Sequence, residues 1–410
     1  MIKHETFLID SCDDIECKVK RESKLEYRVC FNTTKELEAI VVFVQGCGGE
    51  GLKSYREHLL ESIANDYNVL ALNVDYHCSC NRKELGASFT LSEIDKAVLQ
   101  GYCSAFDITL PFDINTIKTN DEIVDFFDYL DKLITLKKEQ KNLYGSCHLD
   151  IPLSITPAKN EYQNFGIMSC MDIINALFHL KKIHNLINKP IILVGTSHGG
   201  YLSHLCAKIA PWLIDGVIDN SSYVKLNLHF CCFGKELDYT KYCEVRDKYY
   251  KNFDLLLTSK TLWTYNSQSP YYFNKARECI RDITNKEHLK IQAKYPKTRY
   301  ISYHSMYDNI APIKDKNDLY FALEQLNFDA KIHLIISQNE IDNILIHHLE
   351  HGLGMSMKPL IAKELPIMLD KIQKDKKEMC KNKSISYPSD NLVYTFTQKD
   401  SKINLEITEI

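Results

Sequence analysis

The sequence has 410 residues, a net charge of −4, 45% hydrophobic residues and 25% charged residues. These values are typical of a globular enzyme. A net negative charge gives the chain no overall attraction to nucleic acids or to anionic membranes. No apolar stretch approaches about 18 residues, and the first residues lack an apolar signal-peptide core, so we expect neither membrane insertion nor export. The 15 cysteines are odd in number and scattered, which favours reduced thiols and a cytoplasmic location.

The first part of the chain predicts the edge of a sheet. Ile15, Cys17 and Val19 share one face, and the residues at 25–31 alternate in the same way, so the pattern predicts an antiparallel pair of strands. The next segment, AIVVFV at 39–44, is continuously apolar, as in a strand that is covered on both sides.

A glycine-rich loop, QGCGGEG at 45–51, follows this buried strand directly. In that position the backbone N–H of Cys47 or Gly48 can hold an oxyanion, together with the N–H of His198. The alternatives are a flexible loop that opens a helix at 52–65 or a phosphate-binding loop, although both glycine-rich phosphate motifs are absent. The buried strand predicted next, at 69–74, favours the oxyanion role.

Two long segments interrupt the alternation of strands and helices. Residues 77–163, with predicted helices near 91–100 and 121–136, are interpreted as a cap insertion. Residues 223–295 are rich in aromatic side chains and are interpreted as a second lid insertion, in which those side chains line a pocket or form a small core of their own. Two such insertions predict a roofed cleft that admits small substrates.

The rest of the chain divides around these insertions. Residues 1–76, 164–222 and 296–375 are predicted to form one α/β core. Residues 376–410 are predicted to form a lysine-rich linker and a C-terminal hairpin with strands at 393–397 and 403–407.

The core is organised around the stretch from Pro190 to Ser222. It predicts a buried strand at 191–194, a G-x-S-x-G turn centred on Ser197, a helix at 198–210 and a second buried strand at 216–219. A serine on such a strained strand-to-helix turn is lifted into a cleft, and glycines flank it because a Cβ would strike the neighbouring backbone. The sequence therefore predicts Ser197 as a nucleophile; a glycine-rich turn without chemistry is the alternative.

Two later residues complete a catalytic constellation. Asp308 and His351 each follow a predicted parallel strand, and the chain order is serine, acid, histidine. A serine hydroxyl is a poor nucleophile until an imidazole removes its proton, and a carboxylate orients that imidazole. Ser197, Asp308 and His351 are therefore the predicted catalytic residues.

Alternatives remain for two of the three positions. Asp219, at the end of the strand after the elbow helix, competes with Asp308 for the role of the acid. His347 and His348 compete with His351 for the role of the base. The turn that follows Asp308 ends in a proline before a helix, and two glycines beside His351 allow a tight loop, so we favour Asp308 and His351.

These motifs together resemble the α/β-hydrolase superfamily of serine hydrolases. The elbow GTSHGG, the loop QGCGGEG, the acid turn HSMYDNIAP and the late HG carry the resemblance. The acid turn is similar to the H-G-x-x-D-x-x-V-P pattern of peptidases and esterases, with Ser305 in place of the glycine and Ala311 in place of the valine. The resemblance implies an α/β-hydrolase fold with a mostly parallel central sheet, helices on both faces and large cap or lid insertions. Gln45 departs from the family, because many esterases have a histidine there.

A narrower resemblance covers most of the chain. IDSCDDIECKVKRESKLEYRV and KIAPWLIDGVIDNSS are similar to an uncharacterised family of flagellated epsilonproteobacteria. Members of that family are often encoded among flagellar glycan modification genes. This resemblance implies a glycan or sugar-acid context, and it carries no established activity.

The motifs predict a serine esterase or deacylase that acts through an acyl-enzyme on a small ester, and the narrower resemblance implies an acylated sugar acid as the substrate. The same machinery would serve an acyltransferase or a peptidase, and a hydrolase fold without activity can act as a binding protein. His77-Cys78-Ser79-Cys80 lacks a second pair of ligands, so we expect neither a metal nor another cofactor. The oligomeric state does not follow from the sequence.

Overall fold

The structure, a computed structural model, describes residues 1–47, 51–226, 228, 233–243, 245–295, 298–375 and 382–410. Its strands in chain order are β1 (Ile2–Ile9), β2 (Leu25–Asn32), β3 (Ala39–Val44), β4 (Val69–Asp75), β5 (Ser88–Thr90), β6 (Leu149–Thr156), β7 (Ile191–Thr196), β8 (Gly216–Asn220), β9 (Arg246–Asp247), β10 (Phe253–Ser259), β11 (Arg299–Ser305), β12 (Ala330–Ile335), β13 (Ser384–Ser389), β14 (Leu392–Lys399) and β15 (Lys402–Glu409). Its helices are α1 (Lys53–Asp66), α2 (Glu93–Ala105), α3 (Asn120–Glu139), α4 (Ile167–Ile183), α5 (His198–Ile209), α6 (Lys235–Tyr242), α7 (Lys275–Arg281), α8 (Lys286–Gln292), α9 (Ile313–Gln325) and α10 (Met357–Lys374).

The described residues form two compact units, and both are discontinuous in sequence. The first unit comprises Met1–Ser79, Phe165–Leu226 and Asn274–Ile410, and the second comprises Cys80–Asn164 and Asn227–Phe273.

The first unit is built on a sheet with the strand order β1-β2-β4-β3-β7-β8-β11-β12. Strand β2 runs antiparallel to both of its neighbours, and the other pairs are parallel. The predicted, mostly parallel central sheet is therefore confirmed. Because β7, β8 and β11 are parallel neighbours, the residues that follow them meet at one edge of the sheet.

Strand β3 shows how the sheet is covered on both faces. Ile40, Val42 and Val44 belong to an apolar cluster that contains residues of α4, α5 and α9. Ala39, Val41 and Phe43 belong to a second cluster that contains residues of α1 and α10. Successive side chains of a strand point to opposite faces, so a strand that is buried on both faces must be apolar throughout.

The first strand differs from the prediction. On its outer side β2 pairs with β1, at Ile2–Ile9, and the prediction of a strand at 15–19 is wrong. The backbones of Asp14 and Val19 pair with each other across a tight turn, and the Cys17 N–H donates to Asp14 Oδ1 at 3.0 Å. Glu16, within this turn, accepts a hydrogen bond from the buried guanidinium of Arg281 at 2.9 Å, so a long-range ion pair accompanies the turn conformation.

The second unit combines the two segments that the sequence predicts as separate insertions. Its sheet has the order β5-β6-β10-β9, in which β6 and β10, from different segments, run parallel. Lys235 also joins the segments: its Nζ donates to Asp95 Oδ1 at 3.0 Å and to Ser154 Oγ at 2.6 Å. The second segment of this unit ends at Phe273, whereas the sequence predicts a boundary at 295, because α7 and α8 pack on β13 in the first unit.

The C-terminal part of the first unit is a three-stranded antiparallel sheet, β13-β14-β15. Strands β14 and β15 form a hairpin where the sequence predicts one, and β13 adds a strand that the sequence did not predict. The hydroxyl of Tyr394 in β14 donates to Glu16 Oε1 at 3.0 Å, so Glu16 connects this sheet with Arg281. Residues 376–381 of the predicted linker lie outside the described residues.

Candidate active site

Ser197 lies between β7 and α5 in a strained backbone conformation. Its φ is 51° and its ψ is −119°, and such a conformation costs a non-glycine residue of the order of 1–3 kcal/mol. The Ser197 N–H donates to the Asn220 carbonyl at 2.8 Å, which ties the turn to the end of β8. The chain therefore forms a strand, a strained turn and a helix in the order typical of a nucleophile elbow.

The three glycines of the turn are required by close contacts with backbone and side chains. A Cβ on Gly199 would lie 2.0 Å from the Val44 carbonyl oxygen at the end of β3. A Cβ on Gly195 would lie 2.4 Å from the Gly199 carbonyl oxygen, and one on Gly200 would lie 2.6 Å from the Cβ of Ser222. Any larger residue would push α5 away from the sheet and displace Ser197 with it.

The side chains of Ser197, Asp308 and His351 meet at the carboxyl edge of the sheet. His351 Nε2 lies 2.8 Å from Ser197 Oγ, and His351 Nδ1 lies 3.0 and 2.8 Å from the two carboxylate oxygens of Asp308. An ionised carboxylate only accepts hydrogen bonds, so Nδ1 is the donor and Nε2 is left to accept the Ser197 proton. In this arrangement the imidazole can act as a general base toward the serine.

The turn after β11 holds Asp308 in its ionised form. Its Oδ1 accepts hydrogen bonds from the backbone N–H groups of Ile310 and Ala311 at 3.0 and 2.8 Å. Burial alone would raise the pKa of Asp308, but the hydrogen bonds from His351 and Ala311 outweigh it and lower the pKa below its ordinary value. A carboxylate that stays ionised is the form that can orient and stabilise an imidazolium.

Asp219, the alternative acid, belongs to a different set of contacts. Its carboxylate is buried and accepts hydrogen bonds from His204 Nε2 and Lys316 Nζ, both at 2.8 Å, and from Ser302 Oγ at 3.0 Å. Among the described residues, the structure brings Asp308 and not Asp219 to His351.

The two alternative bases also make other contacts. The His347 N–H donates to the Leu353 carbonyl at 2.9 Å, and the Glu350 N–H donates to His348 Nδ1 at 3.2 Å. Gly354 packs closely against both histidines, because a Cβ on it would lie within 3.0 Å of their side chains. In the described part of the chain, neither ring is hydrogen-bonded to Ser197 or Asp308.

Two of the three predicted oxyanion donors lie in the described residues. His198 is the first residue of α5, so its N–H has no acceptor within the helix. Cys47 is exposed in the loop after β3. Gly48 lies outside the described residues. The oxyanion role of these N–H groups stays a prediction.

The side chain of His198 lies in a small aromatic group next to the elbow. His198 Nδ1 is hydrogen-bonded to the hydroxyl of Tyr223, whose ring stacks on that of Tyr201 with centroids 5.0 Å apart. Burial lowers the pKa of His198 to about 4, so the ring is neutral at pH 7. A neutral ring adds no charge beside Ser197.

Gln45 supports the loop after β3 by buried hydrogen bonds. Its amide accepts from Asn73 Nδ2 at 2.7 Å and donates to the Val74 carbonyl at 3.1 Å, and its own carbonyl accepts from the Tyr76 hydroxyl at 2.6 Å. These contacts tie the residue just before the glycine-rich loop to β4. The role of Asn73 was missed, because a polar residue in an apolar strand gives no sign of its partner.

Three further polar residues connect the loops of the site, and the sequence reasoning missed them. Asn220 Nδ2 donates to the Gly352 carbonyl at 2.8 Å, and the Gly352 N–H donates to Ser221 Oγ at 3.0 Å. Ser305, in the acid turn, donates its hydroxyl proton to the Leu349 carbonyl. In the sequence, the run of small polar residues DNSS directly after the apolar start of β8 could have indicated Asn220 and Ser221.

The described residues contain no group of three or more His, Cys, Asp and Glu side chains arranged to hold a metal ion. The same part of the chain contains no helix with both the length and the apolar character needed to cross a bilayer. Among the twelve cysteines of these residues, no two form a disulfide bond with each other.

The strand order, the antiparallel β2 and the elbow define the α/β-hydrolase fold, which is the fold class predicted from the motifs. The chain belongs to the family described as "Protein of unknown function (DUF2920)", whose profile matches residues 5–407. No curated protein matches the sequence.

Several solved structures are similar to this one at low sequence identity. A putative dipeptidyl aminopeptidase IV from Bacteroides ovatus has 10% identity and a TM-score of 0.48, with 90% of this chain and 36% of that chain covered. An acylaminoacyl peptidase from Pyrococcus horikoshii has 11% identity and a TM-score of 0.46, with 92% and 43% covered. A Pyrobaculum calidifontis esterase has 11% identity and a TM-score of 0.42, with 90% and 84% covered. The chain thus spans less than half of each of the two peptidases, and its own strand order carries the fold assignment.

Proposed function

We propose that this protein is a serine hydrolase that acts through an acyl-enzyme, with Ser197, Asp308 and His351 as its catalytic residues. The observation that supports this most is the position of the His351 ring, hydrogen-bonded through one nitrogen to Ser197 Oγ at 2.8 Å and through the other to Asp308. The strained backbone of Ser197 supports it independently, because strain of this kind is retained at functional sites.

The proposed reaction has two halves. In the first, His351 Nε2 takes the Ser197 proton while Oγ attacks the substrate carbonyl, and the negative oxygen is held by the N–H of His198 and one from the loop of Cys47 and Gly48. The proton then passes from His351 to the leaving group, and an acyl-enzyme remains. In the second, His351 deprotonates a water, which attacks the acyl group and restores the serine.

We propose a small ester or an acylated sugar acid as the substrate, with cytoplasmic action and without nucleic-acid or membrane partners. The resemblance to a family associated with flagellar glycan genes favours an acyl group on a glycan precursor. The 15 cysteines are odd in number and scattered, which favours reduced thiols and the cytoplasm, and the net charge of −4 disfavours polyanionic partners. Hydrolysis is favoured over acyl transfer because it needs no second binding site.

The first prediction tests the nucleophile. A fluorophosphonate should label the wild-type protein at one serine, and Ser197→Ala should abolish the label and lower turnover by several orders of magnitude, about 10⁶-fold in comparable triads. The label is located by mass spectrometry of the digested protein. A label that persists in Ser197→Ala, on another serine, would contradict the assignment, and a wild-type protein that takes no label would favour a binding role.

The substrate class is tested by comparing three kinds of substrate. Short-chain aryl esters, O-acetylated sugar acids and peptide amides are offered separately to the purified protein, with Ser197→Ala as the control. Efficient cleavage of sugar esters supports the proposal. Cleavage of peptides alone would make the protein a peptidase, and acyl transfer to an added sugar hydroxyl in preference to water would make it an acyltransferase.

A further inference from the structure

The end of β8 carries two buried polar residues to which the catalytic steps give no role. Asn220 and Ser221 are 1% and 0% exposed. Burying polar groups costs free energy unless they are hydrogen-bonded, so the partners of such residues indicate what they are for. Their side chains are hydrogen-bonded to each other and to Gly352, beside His351, and the Asn220 carbonyl accepts the Ser197 N–H.

Gly352, the residue after His351, is held on both sides of its backbone. Its carbonyl accepts from Asn220 Nδ2 at 2.8 Å, and its N–H donates to Ser221 Oγ at 3.0 Å. The Ser221 hydroxyl donates in turn to Asn220 Oδ1 at 3.1 Å, which closes the ring of contacts. We call Asn220 and Ser221 the Gly352 clamp. Contacts to both the N–H and the carbonyl of one residue fix its orientation as well as its position.

The clamp also contacts the serine loop directly. The main-chain carbonyl of Asn220 accepts the N–H of Ser197 at 2.8 Å, while its side chain holds Gly352. One residue therefore links the backbone of the elbow to the backbone beside His351. A shift of Asn220 would change the distance between Ser197 Oγ and the imidazole.

The backbone around His351 is irregular. Gly352, Leu353 and Gly354 have φ values of 81°, 57° and 61°, so three successive residues adopt left-handed conformations. Within the loop, the Leu353 N–H donates to the Glu350 carbonyl and the Met355 N–H to the Gly352 carbonyl, both at 2.9 Å. The contacts from Asn220 and Ser221 add a connection between this loop and the end of β8. Ser221 itself has a φ of 53°, a strain that persists only where the surroundings over-determine the conformation.

We propose that Asn220 and Ser221 are positioning residues, which place the His351 imidazole against Ser197 by holding Gly352. This inference rests on the proposed function and adds two residues to it. Neither residue touches the reacting atoms. A misplacement of about 1 Å at a reacting centre can lower the rate about 10²-fold. The clamp therefore affects the rate by setting the distance between the His351 imidazole and Ser197 Oγ.

Ser221→Gly separates positioning from folding. Glycine adopts a φ of 53° without strain, so this variant relieves the backbone while it removes the hydroxyl. The expected result is an unchanged or higher melting temperature, together with a 10- to 100-fold lower maximal rate of fluorophosphonate labelling of Ser197 and an unchanged affinity for the probe. Ser221→Ala should lose the same rate and also some stability.

Asn220→Asp and Asn175→Ala complete the comparison. Aspartate keeps the size of Asn220 but cannot donate to the Gly352 carbonyl, so Asn220→Asp should also label slowly. Asn175 is a buried amide that accepts from the Ile403 N–H at 2.8 Å, away from the triad, so Asn175→Ala measures the effect of losing a comparable contact. It should lower the melting temperature and leave the labelling rate unchanged.

The outcomes distinguish this inference from the proposed function. If Ser221→Gly and Asn220→Asp label at the wild-type rate, the clamp has no positioning role, although the hydrolase proposal stands. If the labelling rates of Ser221→Gly and Asn220→Asp fall, but the rate of the control Asn175→Ala falls by the same factor, the two residues act through stability. That result would overturn the inference. If the wild-type protein takes no label at Ser197, the proposed function fails first, and the clamp fails with it.

Discussion

At the scale of single residues, charge pairing distinguishes the two candidate acids. Asp219 lies at the end of β8 and Asp308 follows the parallel strand β11 in the same sheet, so their sequence positions left both open. Lys316 of α9 and His204 of α5 are both hydrogen-bonded to the Asp219 carboxylate, so its oxygens already have partners other than His351. No local pattern encodes these contacts, because they depend on which helix packs over which strand. The glycines around Ser197, by contrast, are a local signal and could be read directly.

Lys316→Met tests the role of the Asp219 carboxylate in stability. Burial would raise the pKa of Asp219, but Lys316 and His204 outweigh burial and lower it. Removal of Lys316 leaves the buried Asp219 carboxylate without its lysine partner, although it keeps the hydrogen bonds from His204 and Ser302, so we expect a loss of about 3–5 kcal/mol at pH 7, measured by chemical denaturation. Lys371→Met, which breaks an exposed pair with Asp329, should cost less than about 1 kcal/mol.

The pH dependence of this loss provides a second check. Because the pKa of Asp219 in the folded protein is below its unfolded value of about 3.9, the carboxylate stabilises the fold above that pH. The stabilisation disappears as the pH falls through the folded pKa. In Lys316→Met the Asp219 carboxyl group can take up a proton more easily, because the neighbouring cation is gone. The loss of unfolding free energy relative to the wild type should therefore be smaller at pH 4 than at pH 7. A deficit that is equal at both pH values would contradict the assignment of the charge.

At the scale of secondary structure, the position of Ser197 depends on how closely α5 approaches β3. Gly199→Ala would bring a Cβ to 2.0 Å from the Val44 carbonyl oxygen, and β3 is a central strand that is buried on both faces. We expect Gly199→Ala to lower the melting temperature substantially and to abolish labelling of Ser197.

Gly101→Ala is the matched control for this prediction. Gly101 lies inside α2, where an added Cβ meets nothing within 4 Å, so alanine should stabilise that helix by about 0.5–1 kcal/mol. Thermal unfolding of both variants makes the comparison. A Gly199→Ala protein that melts and labels like the wild type would show that the elbow can move away from β3.

The elements themselves could be predicted where the signal is local. Strand β3, helix α1 and the elbow have continuous or periodic apolar patterns, and they form close to the expected bounds. The segment at 15–19 alternates like a strand, but it forms a turn beside the Arg281 guanidinium, which is contributed by a distant part of the chain. Similarly, the sequence assigns β6 and β10 to separate insertions, whereas the structure pairs them in one sheet. The pattern of apolar residues in a strand does not indicate which other strand it pairs with.

At the scale of the whole molecule, each compact unit is assembled from separated parts of the chain. The first unit needs three segments, and Glu16, Arg281 and Tyr394 bring together residues from the beginning, the middle and the end of the described chain. The second unit needs only two segments and contains no residue beyond Phe273.

This division sets an order for folding during synthesis on the ribosome. All residues of the second unit exist once Phe273 has been made, whereas β11 and β12 of the first unit have yet to be translated. Domains generally fold as units as the chain emerges, so the second unit is expected to fold before the first unit. Chains stalled about 40 residues after Phe273 should yield protease-resistant fragments of the second unit, while residues 1–79 are still digested. The contact between Glu16 and Tyr394 joins residues 378 positions apart, so it cannot form until Tyr394 has been made. The early strands of the first unit are therefore expected to remain without all of their partners for longer than those of the second unit.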